Sequence, residues 1–263
     1  MSSTTAAAAA APTLSLVESS KRAAAYLAVD LHFPSTPGTS SSPLIIGIGS
    51  GSTVIYVVER ILQLPPTLLS TCIFIPTGYQ SRQLILAGNL RLGDIDSHSR
   101  LDVCFDGADE VDPSLNLIKG GGACLFQEKL VAIKADKFVA VADYRKVSES
   151  LGTCFLQGIP IEVVPPAVSY VVEGLRKLGL VDVTLRLGGA AKAGPVVTDN
   201  GNFILDAKVP AGGVGSSEKV EALARGMKSL VGVVEHGIFW SGDKKPVVAY
   251  FGMEDGTVFT REA

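Results

Sequence analysis

From Lys21 to Ala142 short apolar runs alternate with segments of helical spacing, and this alternation restricts the chain to very few architectures. Strands are expected at Leu44 to Ile48, Cys72 to Ile75, Leu101 to Phe105 and Phe138 to Ala142. Helices are expected at Lys21 to Val29, Thr53 to Leu62, Gln80 to Ala87 and Ala123 to Ala135, and Ser15 and Glu18 are spaced as a capping box ahead of the first. Strands and helices in alternation make an α/β fold with a doubly wound, mostly parallel sheet. Such sheets bind ligands beyond the carboxyl ends of their strands, where this sequence turns glycine-rich or acidic.

After residue 152 the pattern changes. Strands at Ile161 to Val164 and Val181 to Leu187 flank a helix at Val168 to Leu178. Asp199-Asn200-Gly201 suits a hairpin with a primed two-residue turn, and a helix follows at Glu218 to Leu230. The expectation is a Rossmann-like domain spanning 12–152 plus 240–263, with a second, smaller α+β domain at 153–239. The final strands, Val247 to Phe251 and Thr257 to Phe259, return to the first domain. Ala6 to Ala11 and the Ser/Thr before it read as a disordered leader at 1–11.

Several function classes fall away. No apolar run approaches the roughly 20 residues that cross a bilayer, and no cationic segment leads into a hydrophobic one, so a cytoplasmic protein with no membrane partner is expected. A net charge of −3 supplies no basic field for nucleic acid. Cys72, Cys104, Cys124 and Cys154 include no CxxC pair and read as free buried thiols. His32, His98 and His236 are isolated, which argues against a metal centre or a histidine-driven nucleophile.

Three loops carry the chemistry. Gly47-Ile-Gly49-Ser50-Gly51-Ser52-Thr53 lies between a strand and a helix, where backbone N–H groups and hydroxyls suit a phosphate monoester. It lacks the third glycine of a dinucleotide fingerprint and the Gly-Lys-Ser/Thr of a P-loop. Asp106-Gly107-Ala108-Asp109-Glu110-Val-Asp112 puts four carboxylates at a strand end, where sugar hydroxyls, a divalent cation or plain solvation could absorb the charge. Lys119-Gly120-Gly121-Gly122 then offers a cation and a flexible run of N–H donors for an oxyanion. Glu128 has apolar helical neighbours, Cys124, Leu125, Val131 and Ala132. Burial there would raise its pKa into the range of a general base; the alternative is a surface glutamate paired with a lysine.

In order and spacing these pieces resemble the ribose-5-phosphate isomerases of the A type, from about Lys21 to the C-terminus. Ten residues separate Asp109 from Lys119 and nine separate Lys119 from Glu128. Ala142-Asp-Tyr-Arg-Lys146, Gly158-Ile-Pro-Ile-Glu-Val-Val-Pro165 and Ala193-Gly-Pro-Val-Val-Thr-Asp-Asn200 extend the match, and Phe74-Ile-Pro-Thr-Gly-Tyr-Gln80 looks fungal. The resemblance implies a metal- and cofactor-free aldose–ketose isomerase of the non-oxidative pentose phosphate pathway, acting through an enediolate. It implies that Glu128 is the base, assisted by Asp106, Asp109 and Lys119. Ser50, Gly51, Ser52 and Thr53 would hold phosphate, Asp106 to Asp109 and Lys119 to Gly122 would line the sugar, and Lys146 and Lys21 would contact substrate. Relatives suggest a homodimer or homotetramer, with the small domain as lid or interface. A sugar-phosphate sensor, a nucleotide-dependent oxidoreductase and a metal-dependent isomerase are the competing readings; turnover, cofactor binding and chelator sensitivity discriminate them.

Overall fold

Five parallel strands and one antiparallel strand make the central sheet of the computed structural model, which describes residues 14–262. The leader expected at 1–11 lies outside the described residues. The parallel strands are β1 (Leu44–Ile48), β2 (Cys72–Pro76), β3 (Leu101–Gly107), β6 (Ala135–Asp143) and β12 (Val248–Gly252). β13 (Val258–Glu262) closes one edge, and the order is β13-β12-β6-β3-β1-β2. β1 is flanked by β2 on one side and β3 on the other, so the winding direction reverses there and a crevice opens beyond the ends of β1 and β3.

Helices cover both faces, as a doubly wound sheet requires. α1 (Leu16–His32), α2 (Val54–Ile61) and α4 (Tyr79–Ala87) pack on one, through Ala24, Ala28, Val57, Ile61 and Ile85. α3 (Pro66–Leu69) is a single turn before β2. α5 (Leu125–Lys134) covers the other face through Val131 and Ala132. Gly47 makes this packing close: a Cβ there would lie 2.7 Å from Val131 Cγ1 and 3.0 Å from Cys104, so a side chain would push α5 off the sheet.

The later part builds an antiparallel sheet in the order β10-β7-β9-β8 from β7 (Ile159–Val163), β8 (Val181–Leu185), β9 (Phe203–Lys208) and β10 (Val233–His236). α6 (Val168–Lys177) and α7 (Ser217–Lys228) share its core through Val171, Leu175, Val220 and Met227. A three-stranded ribbon that the periodicity did not reveal joins the two parts. It consists of β4 (Glu110–Val111), β5 (Leu117–Ile118) and β11 (Ile238–Phe239).

Four local expectations are corrected. α1 begins at Leu16, where Ser15 Oγ accepts from Glu18 N at 3.3 Å, but Glu18 does not complete a capping box and pairs with Lys21 and Tyr56. α5 begins two residues later than expected, because Ala123 closes a turn onto Gly120 O with a φ of 62°. The hairpin near residue 200 has a three-residue loop with Gly201 N bonded to Thr198 O; only Gly201, at φ 81°, is left-handed there, whereas a type I′ turn needs two such residues. Cys154 is exposed and Cys124 half-buried, so only Cys72 and Cys104 are buried thiols.

Candidate active site

A cleft of about 240 Å³ lies at the crevice predicted by the strand order. Its lining includes Lys21, Ser50, Gly51, Ser52, Thr53, Gly107, Ala108, Asp109, Lys119, Gly120, Gly121, Gly122, Glu128 and Lys146. Asp106 sits directly behind it, fully buried. The site residues picked from sequence therefore converge, from segments up to 125 positions apart between Lys21 and Lys146.

The phosphate-loop candidate leaves β1 and is tied to β3 at once. Gly49 N donates to Phe105 O at 2.8 Å, and Ser50 N donates to Asp106 Oδ1 at 3.1 Å. Gly49 must lack a side chain, since a Cβ would collide with the Asp106 carboxylate and Cα. Ser50 Oγ shares a hydrogen bond with Thr77 Oγ1 at 2.9 Å, and Gly51 N donates to Gln80 Oε1 at 2.8 Å. Ser52 and Thr53 open towards the cleft at the start of α2. Lys21, Arg145 and Lys146 line the same cleft and bring positive charge to it.

The four carboxylates at and beyond the end of β3 do different jobs. Glu110 is fully buried and accepts from Ser148 Oγ at 2.7 Å and from the N–H groups of Gly152, Thr153, Cys154 and Phe155 at 3.0–3.1 Å. Burial opposes its charge, but these donors outweigh it and lower its pKa. Asp112 accepts from Ser114 N, Asn116 N and Asn116 Nδ2 and fixes the β4–β5 turn. Local donors thus absorb two of the charges, leaving Asp106 and Asp109 to the cleft. Asp109 Oδ2 accepts from Gly121 N at 2.7 Å, which joins the acidic loop to the glycine run.

Lys119, 2% exposed, follows β5 directly. Its Nζ lies 2.9 Å from Asp106 Oδ2 and 3.5 Å from Glu128 Oε2, and donates to Gly107 O at 2.6 Å. Burial disfavours the ammonium, but Asp106 and Glu128 prevail and raise its pKa, so it stays charged. Asp106 is pushed up by burial in spite of Lys119. Glu128, 3% exposed on the first turn of α5, is raised to about 8: burial dominates, Lys119 pulls the other way, and Asp106 and Asp109 add to the rise. Its Oε2 makes no hydrogen bond within the described residues. A carboxylate that is dry, unsatisfied and poised near neutrality can take a proton from carbon and return it.

Lys129, the next residue, faces the opposite way. Its Nζ contacts Glu235 Oε1 at 3.0 Å, Asp243 Oδ2 at 3.1 Å and Ile238 O at 2.7 Å. Glu235, His236 and Asp243 are the one set of groups with metal-ligand spacing among the described residues, and the Lys129 ammonium already sits against them, outside the cleft.

Sequence reasoning passed over Arg145, Asp143, Gln80, Cys124 and Arg186. Asp143, 1% exposed, accepts from Arg145 Nε at 2.7 Å and Nη2 at 2.9 Å; burial raises its pKa, but Arg145 more than compensates and the value falls. Asp143 and Arg145, two positions apart at the end of a buried strand, were the available signal. Arg186 left none, because it arrives from the distant small sheet.

The family model described as ribose 5-phosphate isomerase A (phosphoriboisomerase A) matches residues 73–256. A ribose-5-phosphate isomerase of Candida albicans is 56% identical over 245 residues, 93% of this chain and 96% of that protein. Among solved structures, a D-ribose-5-phosphate isomerase in complex with phospho-erythronic acid is 34% identical with a TM-score of 0.80, covering 94% of this chain and 99% of the other. The ribose 5-phosphate isomerase of Plasmodium falciparum is 31% identical with a TM-score of 0.79 and the same coverage. With the family model matching residues 73–256 and relatives matching in sequence and fold over nearly its whole length, this chain belongs to the ribose 5-phosphate isomerase A family.

Proposed function

We infer that the chain interconverts D-ribose 5-phosphate and D-ribulose 5-phosphate, the pentose phosphate pathway being its expected context. The observation that carries this reading is the buried Glu128 carboxylate, with a pKa of about 8, 3.5 Å from the Lys119 ammonium in the same cleft as the Ser50–Thr53 loop. The family model and the named relatives support the reaction.

The substrate phosphate is assigned to the N–H groups and hydroxyls of Ser52 and Thr53, on the turn that Asp106, Thr77 and Gln80 fix through Ser50 and Gly51, with Lys21, Arg145 and Lys146 neutralising its charge. Asp109 assists ring opening, because Asp106 is already engaged by Ser50 N, Gly107 N and Lys119. Glu128 takes the proton from C2 of the open-chain aldose. The electrons of the broken C2–H bond form the C1–C2 double bond and push the negative charge onto O1, where Lys119 and the N–H groups of Gly120 and Gly122 meet it, Gly121 N being held by Asp109. Glu128 then returns its proton to C1 while the O2 hydroxyl proton passes to O1, leaving a carbonyl at C2 and a hydroxyl at C1. Base catalysis contributes roughly 10²–10⁴-fold; prepositioned charge and orientation contribute the larger remainder.

We assign 12–152 with 240–263 to catalysis and 153–239 to covering the cleft and joining copies into a homodimer or homotetramer. Tyr170, Val181, Leu187 and Val231 are exposed apolar residues of that smaller part, suited to a subunit contact. No described helix is long and apolar enough to cross a membrane. The test is the initial rate of ribulose 5-phosphate formation from ribose 5-phosphate in excess EDTA. Rapid conversion is expected; no conversion by folded protein would overturn the metal-free isomerase.

A further inference from the structure

Three consecutive glycines have no side chains with which to lock their own conformation, and glycine has more backbone freedom to lose than any other residue. Yet the run 120–122 has to present N–H groups in a fixed direction if it is to meet a developing oxyanion, since donors that must reorganise during the reaction lose their advantage. The restraint comes from Arg186, just past the end of β8. Arg186 Nη1 donates to Gly121 O at 2.9 Å and to Gly120 O at 3.2 Å. Its other edge grips the Asp206 carboxylate of β9 through Nε, at 2.8 Å, and Nη2. Gln157 Nε2 donates to the same carboxylate at 3.2 Å, and the Arg186 backbone is pinned by Ile204 O and Val196 N at 2.8 Å each. The guanidinium side chain is 10% exposed and Asp206 7%. One planar fork therefore connects a rigid sheet to two adjacent loop carbonyls, which a single ammonium cannot reproduce.

The trans peptide makes this anchoring directional. In each peptide unit the carbonyl and the following N–H point in opposite directions. Holding Gly120 O sets Gly121 N–H, which donates to Asp109; holding Gly121 O sets Gly122 N–H, which has no hydrogen-bond partner among the described residues and belongs to a glycine lining the cleft.

We propose that Arg186 is a positioning residue of the isomerase: acting from the small sheet, it clamps the Gly120 and Gly121 carbonyls and so aims the glycine-run N–H groups, together with Asp109, at the substrate's reacting end. The proposal rests on the isomerase reading. It gives the small sheet a part in the chemistry in addition to covering the cleft.

The test uses full-length protein carrying R186K and R186M, with thermal unfolding as the control for folding. In R186K kcat should fall about 10- to 100-fold, the size of a small misplacement in a preorganised site, while KM changes little because phosphate is held elsewhere. Two ligands give a readout that a general loss of structure would not produce. Phospho-erythronic acid carries a phosphate and a carboxylate, and its inhibition should weaken in both variants; inorganic phosphate should bind as in wild type. Should R186M fail to fold, R186K and D206N, which keeps the guanidinium but loosens its grip, decide the matter by the same kcat and ligand split. Wild-type kcat in folded R186K, or equal weakening of both ligands, would overturn the proposal. Absence of turnover in the wild type would instead overturn the isomerase reading.

Discussion

Replacing Glu128 by Gln separates the chemical use of this carboxylate from its cost to the fold. Burial above all holds its pKa at about 8, against an ordinary 4.5. Between those values the folded protein keeps a proton that the unfolded chain has released. Stability therefore falls as pH rises through this window, and the loss is complete above pH 8. At about 1.4 kcal/mol per pH unit the ceiling on that loss is about 5 kcal/mol. The amide removes the titration, but its NH₂ must find acceptors beside the Lys119 ammonium, at a cost of about 1–3 kcal/mol. A net gain of about 2–4 kcal/mol is expected near pH 8.5, which for a chain of this length raises the melting temperature by roughly 4–7 °C. Near pH 5 the gain vanishes or reverses. Scanning calorimetry of both proteins from pH 5 to 8.5 reads this divergence, and parallel melting temperatures across the range would refute the raised pKa. In the same samples kcat should drop about 10²–10⁴-fold with KM nearly unchanged; undiminished turnover would remove Glu128 from the base role.

Other outcomes follow from the same geometry. Since Glu128 must be deprotonated to act, kcat/KM should rise with pH through a midpoint of about 8, and D106N should move that midpoint down, because it removes a negative neighbour and frees Lys119 for Glu128; a pH–rate profile with an unmoved midpoint would contradict the coupling. G49A places a methyl against Asp106 and should cost more than about 2 kcal/mol through overpacking of a buried turn, read by denaturant unfolding; a change below about 0.5 kcal/mol would mean that the loop yields freely. K129M removes the ammonium shared by Glu235 and Asp243, but Glu235 keeps Lys228 at 2.6 Å and Asp243 reaches solvent, so it should destabilise by about 1–3 kcal/mol, visible in the urea midpoint; an unchanged midpoint would show the cluster to be inconsequential.

The central sheet was legible because its parallel strands each carry a short, largely apolar run and its helices are periodic, and these two patterns do not imitate each other. The crevice followed from the strand order, and Glu128 stood out because its helical neighbours are apolar. Other features left weaker traces. The β4, β5 and β11 pairs contain two residues each, too few for any periodicity, and only tertiary pairing makes them strands. The helical register of α5 gave no warning that Ala123 would turn left-handed, because that turn is imposed by its bond to Gly120. Four neighbouring carboxylates looked like one charge problem; Glu110 and Asp112 had local donors that a spacing rule does not see. Arg186 is invisible for the same reason, its partners lying 65 and 66 positions upstream.

The reversal of winding at β1 also bears on how this chain can change. The segments beyond the carboxyl ends of β1 and β3 are bound to each other through Gly49, Ser50 and Asp106, so altering the length of either would shift both. At the opposite end of the strands, residues 34–43 before β1 and 62–71 before β2 run largely over the surface and contribute nothing to the cleft. Insertions there lengthen loops at slight entropic cost, each doubling adding about 0.6 kcal/mol. One rim of the sheet is therefore frozen by what it must hold, while the other is open to drift, tagging and fusion.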